Sequence, residues 1–416
     1  MANNDTTTLS LEHLYRQYSQ PILAYIMSLA QDLELAQEIW HETFLLAMQH
    51  WQTSPPENPP AWFKRTARNK FIDSYRHKKM ATDKAVLIKA LAVDDDIADE
   101  DMADIHYGDE QLKLIFTCCH PALDFDKQVA LTLSIVAGLS TEQIAQALLL
   151  SQTTLEQRLT RAKRKIKQAA IPFVIPESRH LAERLNAVLK TLYLMFNAGV
   201  NQQSDPLDLA GNAMNLVKRL DSLLPYQAEV EGMLALMLFH QSRQSARYDS
   251  KHQIVPLSEQ NRALWQASLI AEAERLLQRA MARQALGVYQ IQAAIQGMHC
   301  HSTSWQSTDW AEIEALYRVH IALDNSPVVK LNSIYAISMS RNVAEAMRQL
   351  TVLEKSGALA SYAPFYALQA DLHQRAGDLK AAHASYLQAE AHSNHPQEQS
   401  HFCRQAEKIK QILAEQ

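Results

Sequence analysis

Apolar residues recur at helical spacing along most of the chain. Between residues 9 and 51 they form two runs that separate near Gln31. Recurrence every three to four residues predicts amphipathic helices, each burying one face. Four prolines in segment 53–60 interrupt the pattern, because proline lacks a backbone donor and disfavours helix before it. The sequence therefore predicts a loop there, with the next helix beginning just after Pro60.

A change of pattern separates the predicted folded units. Residues 90–112 contain nine acidic residues and no lysine or arginine, so charge repulsion and sparse apolar residues favour a linker. Pro172 and Pro176 end a second helical unit. These breaks predict an N-terminal domain over 1–80, an acidic linker over 81–109, a second domain over 110–172 and a C-terminal extension over 173–416.

The composition predicts an all-α fold. The 416 residues include only 9 glycines and 14 prolines, and good helix formers dominate long stretches. Within the extension, residues 366–396 match one tetratricopeptide-type helix pair with Gly377 at its turn, and residues 328–356 form a more degenerate pair before it. The rest, from 180 to 325, is predicted helical without a defined period.

The segment 139–169 has the pattern of a helix-turn-helix. Ser140 with Gln143, and Thr153 with Glu156, have the spacing of N-cap and N3 partners, which predicts two helix starts. Two short helices joined by a brief turn place the N-terminal residues of the second helix in the DNA major groove.

Charge supports DNA binding by this second helix, where six basic residues between 156 and 167 face one acidic residue. Glutamine, threonine and arginine pair with base edges, and lysine or arginine neutralises phosphates. The alternative is a solvated charged helix at the end of a domain. The predicted base-reading residues are Gln152, Thr153, Thr154, Gln157, Arg158 and Arg161, and the predicted backbone contacts are Lys163, Arg164 and Lys167.

A second basic cluster lies between residues 64 and 79, where seven basic residues face one aspartate. Aromatic residues interleave with it, and aromatic rings beside arginines suit unstacked bases of single-stranded DNA. The alternative is that these rings are core. We expect most of the four rings to be buried, leaving a basic face with Asn69 and the proline-rich loop for DNA. The rings are Trp62, Phe63, Phe71 and Tyr75.

Nothing in the sequence indicates catalysis, a metal site or a cofactor. Cys118-Cys119-His120 and His299-Cys300-His301 are contiguous, so on a helix their side chains diverge and buried structural cysteines are favoured over metal ligands. Four cysteines without disulfide-framework spacing and a polar start of the chain predict a cytoplasmic location. Apolar runs are too short to cross a bilayer.

The order of these motifs resembles the extracytoplasmic-function (ECF) sigma factors of the sigma-70 family, over residues 9–170. Segment 32–48 is similar to the region 2 helix that docks on the β′ subunit of RNA polymerase, and 62–76 to the part that melts and reads the minus-ten element. The helix-turn-helix corresponds to region 4, which reads the minus-thirty-five element. The resemblance implies polymerase contacts by Asp32, Gln37, Glu38, His41, Glu42 and Phe44. It implies minus-ten contacts by Lys64, Arg65, Arg68, Asn69 and Arg76.

The extension resembles that of the ECF subgroup with a tetratricopeptide-like C-terminal domain. The resemblance implies core RNA polymerase (β′ and β subunits) and promoter DNA as partners, and an extension that regulates the factor through a protein or small-molecule partner. A stabilising appendage is the alternative for the extension. For the whole chain, a one-component regulator with a helical sensor domain and an interaction scaffold are the rival classes.

Overall fold

The computed structural model describes residues 15, 18–19, 21–51, 56–77, 103–169, 171–200, 208–393 and 395–415. Helices and connecting turns make up these residues, together with one isolated bridge between Tyr248 and Ile254. The predicted all-α class is confirmed. Within the described part of the chain, no helix has the length and apolar character needed to span a membrane.

The helices are numbered in chain order. Helix α1 covers residues 21–30. The helices that follow it in the first half are α2 (Leu33–His50), α3 (Pro59–His77), α4 (Ala103–Cys118), α5 (Phe125–Ile135), α6 (Thr141–Ala147), α7 (Gln152–Gln168), α8 (Ser178–Val200) and α9 (Leu209–Leu223). Those of the second half are α10 (Ala228–Ser242), α11 (Ala267–Ala282), α12 (Val288–His301), α13 (Trp310–Leu323), α14 (Pro327–Ser340), α15 (Val343–Lys355), α16 (Ala363–Arg375), α17 (Leu379–His392) and α18 (Pro396–Glu415).

The chain divides within α9 into two compact units, unit 1 (1–219) and unit 2 (220–416). In unit 1, an aromatic cluster fixes α2 against α3. The ring of Phe63 is fully buried, and its centroid lies 5.2 Å from that of Trp40 and 4.9 Å from that of Trp51. Offset and edge contacts of this kind add to the hydrophobic stabilisation that the rings gain from burial.

Helix α3 begins at Pro59, so the predicted start after Pro60 was wrong by two residues. Proline is favoured in the first turn of a helix, where the missing N–H has no helical acceptor to lose. Asn58 supplies the cap, because its Oδ1 accepts from the N–H of Ala61 at 3.1 Å. Residues 52–55 of the predicted loop lie outside the described residues.

Most of the predicted acidic linker also lies outside the described residues, which resume at 103. Helix α4 begins there, inside the stretch predicted as linker. The remaining helices of unit 1 pack around a second core, in which α5 contacts both α7 and α8. Arg184 of α8 is buried and its Nη1 donates to the carbonyl of Phe116 in α4 at 2.8 Å. The helix that follows Pro172 and Pro176 is thus part of this core.

Unit 2 is organised around α10, which is apolar on most of its circumference and packs against α11 and α12. Glu231 of α10 is 3% exposed and accepts from Nε and Nη2 of Arg283 at 2.8 Å each. A bidentate arginine compensates a buried carboxylate. Glu229 caps α12 from outside, accepting from the N–H groups of Tyr289 and Gln290 at 3.1 and 3.2 Å.

The rest of unit 2 consists of consecutive packed helices, and both helix pairs predicted in it are confirmed. In the pair α16–α17 the turn residue Gly377 has φ +84, and Ala370, Ala382 and Ala389 are fully buried. The prediction of helix throughout 180–325 was wrong for residues 243–266. That segment contains three 3-10 turns and the isolated Tyr248–Ile254 bridge, because Pro256 and turns capped by side chains, such as that of Asn261, interrupt a helix there.

Candidate nucleic-acid interface

The helix-turn-helix is built from α6 and α7. Ser140 and Gln143 form the predicted capping box, with Gln143 N–H to Ser140 Oγ at 3.2 Å and Ser140 N–H to Gln143 Oε1 at 2.9 Å. The predicted second cap, Thr153, was wrong. Ser151 caps α7 instead, accepting from the N–H of Thr154 at 3.2 Å, because its extended backbone precedes the first helical turn.

Leu149 closes the turn between these helices with a backbone conformation that is rare for its residue type. Its φ is +54, in the left-handed region. This conformation lets the N–H of Leu150 reach the carbonyl of Ala145 at 2.8 Å, the six-residue bond that ends many helices. Glycine normally occupies such a position, so Leu149 holds the turn under strain.

Helix α7 presents most of its predicted DNA-reading residues to solvent. Leu155, Ala162 and Ile166 are buried on one side. Arg158 is half-buried and its Nη1 donates to Asp126 of α5 at 2.9 Å, and Lys163 is also half-buried. Burial lowers the pKa of Lys163 while the charge of Glu34 raises it. The exposed residues are Gln152, Thr153, Thr154, Gln157, Arg161, Arg164 and Lys167.

The residues of the second basic cluster lie on α3 and differ in their exposure to solvent. Arg65, Asn69 and Arg76 are exposed and Lys64 is half-buried, whereas Arg68 is only 9% exposed. The expectation that the rings are mostly buried is confirmed for Phe63 and Phe71, while Trp62 and Tyr75 are half-buried.

Helix α2 carries the six residues predicted to contact polymerase. Asp32 is its N-cap and accepts from the N–H groups of Glu34 and Leu35. Glu38, His41 and Glu42 are exposed, and Glu42 pairs with Lys70 of α3 at 3.1 Å. Phe44 is half-buried in the aromatic cluster, with its ring centroid 4.7 Å from that of Tyr15.

The structure brings α2 next to α7, a contact that the sequence did not predict. Lys167 Nζ donates to Glu34 Oε2 at 2.7 Å and lies 3.9 Å from Asp32 Oδ2. A cavity of about 250 Å³ in the same unit is lined by residues of α2, among them Gln37 and His41, and by Ser134, Ile135, Gly138 and Leu139. No local pattern could have indicated a pairing between residues so distant in sequence.

Three family models match the chain. They are Sigma-70 region 2 over residues 14–80, Sigma-70 region 4 over 113–166 and a family of unknown function, DUF6596, over 184–281. An uncharacterized protein of Rhizobium meliloti (strain 1021) is 37% identical over 86% of this chain and 86% of its own length. The ECF RNA polymerase sigma factor SigM of Bacillus subtilis (strain 168) is 25% identical over 38% of this chain and 94% of its own.

The RNA polymerase sigma factor SigZ of the same organism is 24% identical, over 38% of this chain and 86% of its own length. No solved structure matches the chain. The chain belongs to the ECF sigma factors of the sigma-70 family and carries a C-terminal extension. It is a sigma factor for promoter-specific initiation of transcription. Sigma factors are in general not enzymes, and their two regions imply binding to core RNA polymerase and promoter DNA.

Proposed function

We propose that α7 reads the minus-thirty-five element through Gln152, Thr153, Thr154, Gln157, Arg158 and Arg161, with Lys163, Arg164 and Lys167 on the phosphates. The observation that carries this assignment is the division of α7 into two faces. Apolar residues are buried on one, and the predicted readers are mostly exposed on the other. An exposed helix N-terminus with glutamine, threonine and arginine side chains fits the base edges of the major groove.

Region 2 acts on the minus-ten element in this proposal. Arg65, Asn69 and Arg76 contact the DNA together with Lys64, and Arg68 contributes from its buried position by orienting the helix. Trp62 and Tyr75, both half-buried, have ring surface for unstacked bases. Strand separation then draws on binding energy to flipped bases and to polymerase, which requires no cofactor.

Polymerase docking is assigned to α2, through Asp32, Gln37, Glu38, His41 and Glu42 as contacts to the β′ subunit, with Phe44 as their support in the aromatic cluster. The arrangement of unit 1, in which α7 contacts α2, then corresponds to the free protein. Engagement of polymerase separates α2 from α7.

Since initiation of transcription takes place on the chromosome, we place the protein in the cytoplasm.

The extension regulates the factor in this proposal. The packing of α8 on α4 and α5 supports it, because a buried helix that leads into the extension gives regulation a direct route to the DNA-binding unit. A protein or small-molecule partner would act through this connection. The alternative is that the extension only stabilises the protein. In that case the packing of α8 on α4 and α5 completes the core and has no regulatory role.

In-vitro transcription by the full chain with purified core polymerase tests the assignments. Asn69→Ala should leave binding of the upstream element intact and reduce open-complex formation, measured by permanganate reactivity of the minus-ten thymines. Arg161→Ala should weaken upstream binding. Arg348→Ala in unit 2 is the matched surface control. Both variants could instead bind duplex DNA more weakly while the fraction of bound complexes that open stays at the wild-type value. That result would show that the melting role of α3 is wrong.

A further inference from the structure

A cluster of buried cationic and aromatic side chains lies where segment 243–266 of unit 2 meets the C-terminal turn of α12. Arg243 and Arg262 both lie over the ring of Trp265, with guanidinium carbons 5.7 and 4.5 Å from its centroid. Arg243 is 5% exposed, and Trp265 is 9% exposed. The segment thus brings two guanidinium groups to one indole ring inside the unit.

Each arginine uses only part of its hydrogen-bonding capacity. Nη2 of Arg243 donates to Gln296 Oε1 at 2.6 Å, and Nη1 of Arg262 donates to the carbonyl of His299 at 2.6 Å. The remaining terminal nitrogens, Arg243 Nη1 and Arg262 Nη2, are buried and have no acceptor among the described residues, and the same holds for Trp265 Nε1. Buried donors without acceptors cost free energy, so several at one place call for a shared acceptor.

The charged side chains that act directly on Arg243 are positive, whereas Glu274 and Glu398 act on its neighbours Cys300 and Arg247. Besides the thiol of Cys300, the groups that act on Arg243 are Arg247 and Arg262, both positive. Burial, with these two charges, lowers the pKa of Arg243 to about 10. Helix ends add partial negative charge, since Arg243 is the C-cap of α10 and Arg262 binds the last turn of α12. The buried charge of Arg243 and the half-buried charge of Arg262 therefore have no carboxylate paired with them among the described residues.

Aromatic rings extend from this cluster toward solvent. The ring of His299 is stacked on that of Trp305 at 5.8 Å, and Trp305 contacts Trp310 at 4.7 Å. Tyr335 adds a fourth ring, 5.8 Å from Trp310. Trp305, Trp310 and Tyr335 are half-buried, whereas His299 is buried. Planar ring surface thus leads from the accessible side toward the arginines.

We propose that Arg243, Arg262 and Trp265 bind the phosphate group of a small phosphate monoester, with the rings of Trp305 and Trp310 beside the rest of the molecule. Two guanidinium charges match a phosphate monoester, which carries about −1.5 to −2 at pH 7, better than a singly charged carboxylate. Phosphate oxygens accept from all three donor groups. This site does not depend on the proposed role of the extension in regulation.

Binding is measured by isothermal titration of the full chain in chloride buffer, with inorganic phosphate and adenosine monophosphate as probes. Arg243→Gln combined with Arg262→Gln should lower the affinity for adenosine monophosphate about tenfold or more, because each loses a charge-assisted bond. Arg348→Gln, an exposed arginine paired with Glu345, is the matched control and should bind as the wild type does. If adenosine monophosphate binds more tightly than phosphate, the added affinity comes from contacts of the rest of the molecule with the rings of Trp305 and Trp310.

Folding of each variant is checked by circular dichroism, since substitution of Arg243 removes a buried contact. Trp265→Phe keeps an aromatic ring beside the two guanidinium groups and removes the Nε1 donor together with the five-membered ring, so it should lower the affinity a few-fold. Phosphate also stabilises proteins without binding a site, because it is excluded from their surface. This effect is the same in all variants, so a difference between variants reports binding at the site. No binding of either probe to the wild type, or equal binding by the double variant and the control, would overturn the site.

Discussion

Lys167 of α7 lies 2.7 Å from Glu34 of α2. This ion pair joins the last turn of the helix proposed to read DNA to the first turn of the helix proposed to dock on polymerase. Both side chains are about half exposed, and exposed ion pairs are weak. The minus-ten and minus-thirty-five elements are roughly 25 base pairs, or ~85 Å, apart along B-DNA. The two helices must therefore separate when both elements are read, and a weak contact is suited to that change.

Removal of this contact should favour polymerase binding. Glu34→Gln is expected to raise the affinity of the full chain for core polymerase about twofold, the size of effect that an exposed pair allows. Biolayer interferometry with immobilised core polymerase measures it. Glu142→Gln is the matched control, because Glu142 is also the second residue of its helix after a side-chain cap.

A charge reversal separates the ion pair from other effects of residue 34. Glu34→Lys combined with Lys167→Glu should return the affinity to that of the wild type, while Glu34→Lys alone should raise it. The effect should shrink at high salt, since exposed charges are screened. An affinity for polymerase that is the same in wild type and in Glu34→Gln at low salt would count against a restraining contact.

Arg158 and Arg161 should contribute unequally to recognition of the upstream element. Arg161 is exposed, whereas Arg158 must leave Asp126 before it reaches DNA. Arg161→Ala is expected to cost about 1–3 kcal/mol of specific binding, and Arg158→Ala less. Fluorescence anisotropy with duplex promoter DNA compares them. Asp126→Asn, which frees Arg158, should strengthen binding. Arg164→Ala, at an exposed residue proposed to contact phosphate, should weaken binding to specific and non-specific DNA alike. Equal losses at 158 and 161 would contradict this ranking.

The sequence predicted the helices and turns that depend on residues close to one another in the chain. Cap spacing and charge indicated the helix-turn-helix, and the alanines around Gly377 indicated the pair α16–α17. It misplaced the cap of α7, because Ser151 and Thr153 both have suitable side chains and the backbone of the turn at Leu149 decides between them.

Contacts between distant residues were beyond prediction. Glu229 caps α12 from a different helix, and a Cβ at Gly287 would lie 2.0 Å from the carboxyl carbon of Glu229. Nothing in the sequence near α12 indicates that partner. The same holds for Lys167 with Glu34, and for Arg243 with Gln296 and Arg262 with the carbonyl of His299, since each contact forms only when segments 37 to 133 residues apart are packed together.

The two turns that flank α6 should respond oppositely to matched substitutions. Gly138 has φ +62 and Leu149 has φ +54, both in the left-handed region. Gly138→Ala places a Cβ in that region and should lower stability by about 1 kcal/mol, whereas Leu149→Gly relieves strain of similar size. Leu149 is 40% exposed, so the substitution also removes part of its hydrophobic burial, and Leu149→Ala, which removes most of that burial but keeps a Cβ in the left-handed region, is the reference. Thermal unfolding followed by circular dichroism measures all three variants, and a midpoint for Leu149→Gly below that of Leu149→Ala would show that the turn is unstrained.

Acid should destabilise unit 2 through His299. Burial, together with the charges of Arg243 and Arg262, lowers its pKa from 6.5 to about 4. The unfolded chain then binds a proton below about pH 6.5 that the folded chain binds only near pH 4, so stability falls as pH is lowered through that window. The loss is on the order of 3 kcal/mol by pH 4. His240 contributes in the same direction, because burial and nearby arginines also lower its pKa.

His299→Gln should therefore flatten part of this dependence. The difference between unfolding free energies at pH 7 and pH 4.5, measured with urea in chloride buffer, should be smaller in the variant than in the wild type. His252→Asn is the control, because His252 is exposed and its positive φ of 59 suits asparagine. Since Gln cannot take up a proton, the slope that remains belongs to other groups, among them His240 and His401, whose pKa values burial also lowers, and the carboxyl groups. An unchanged difference in His299→Gln would mean that His299 is protonated equally in the folded and unfolded chain.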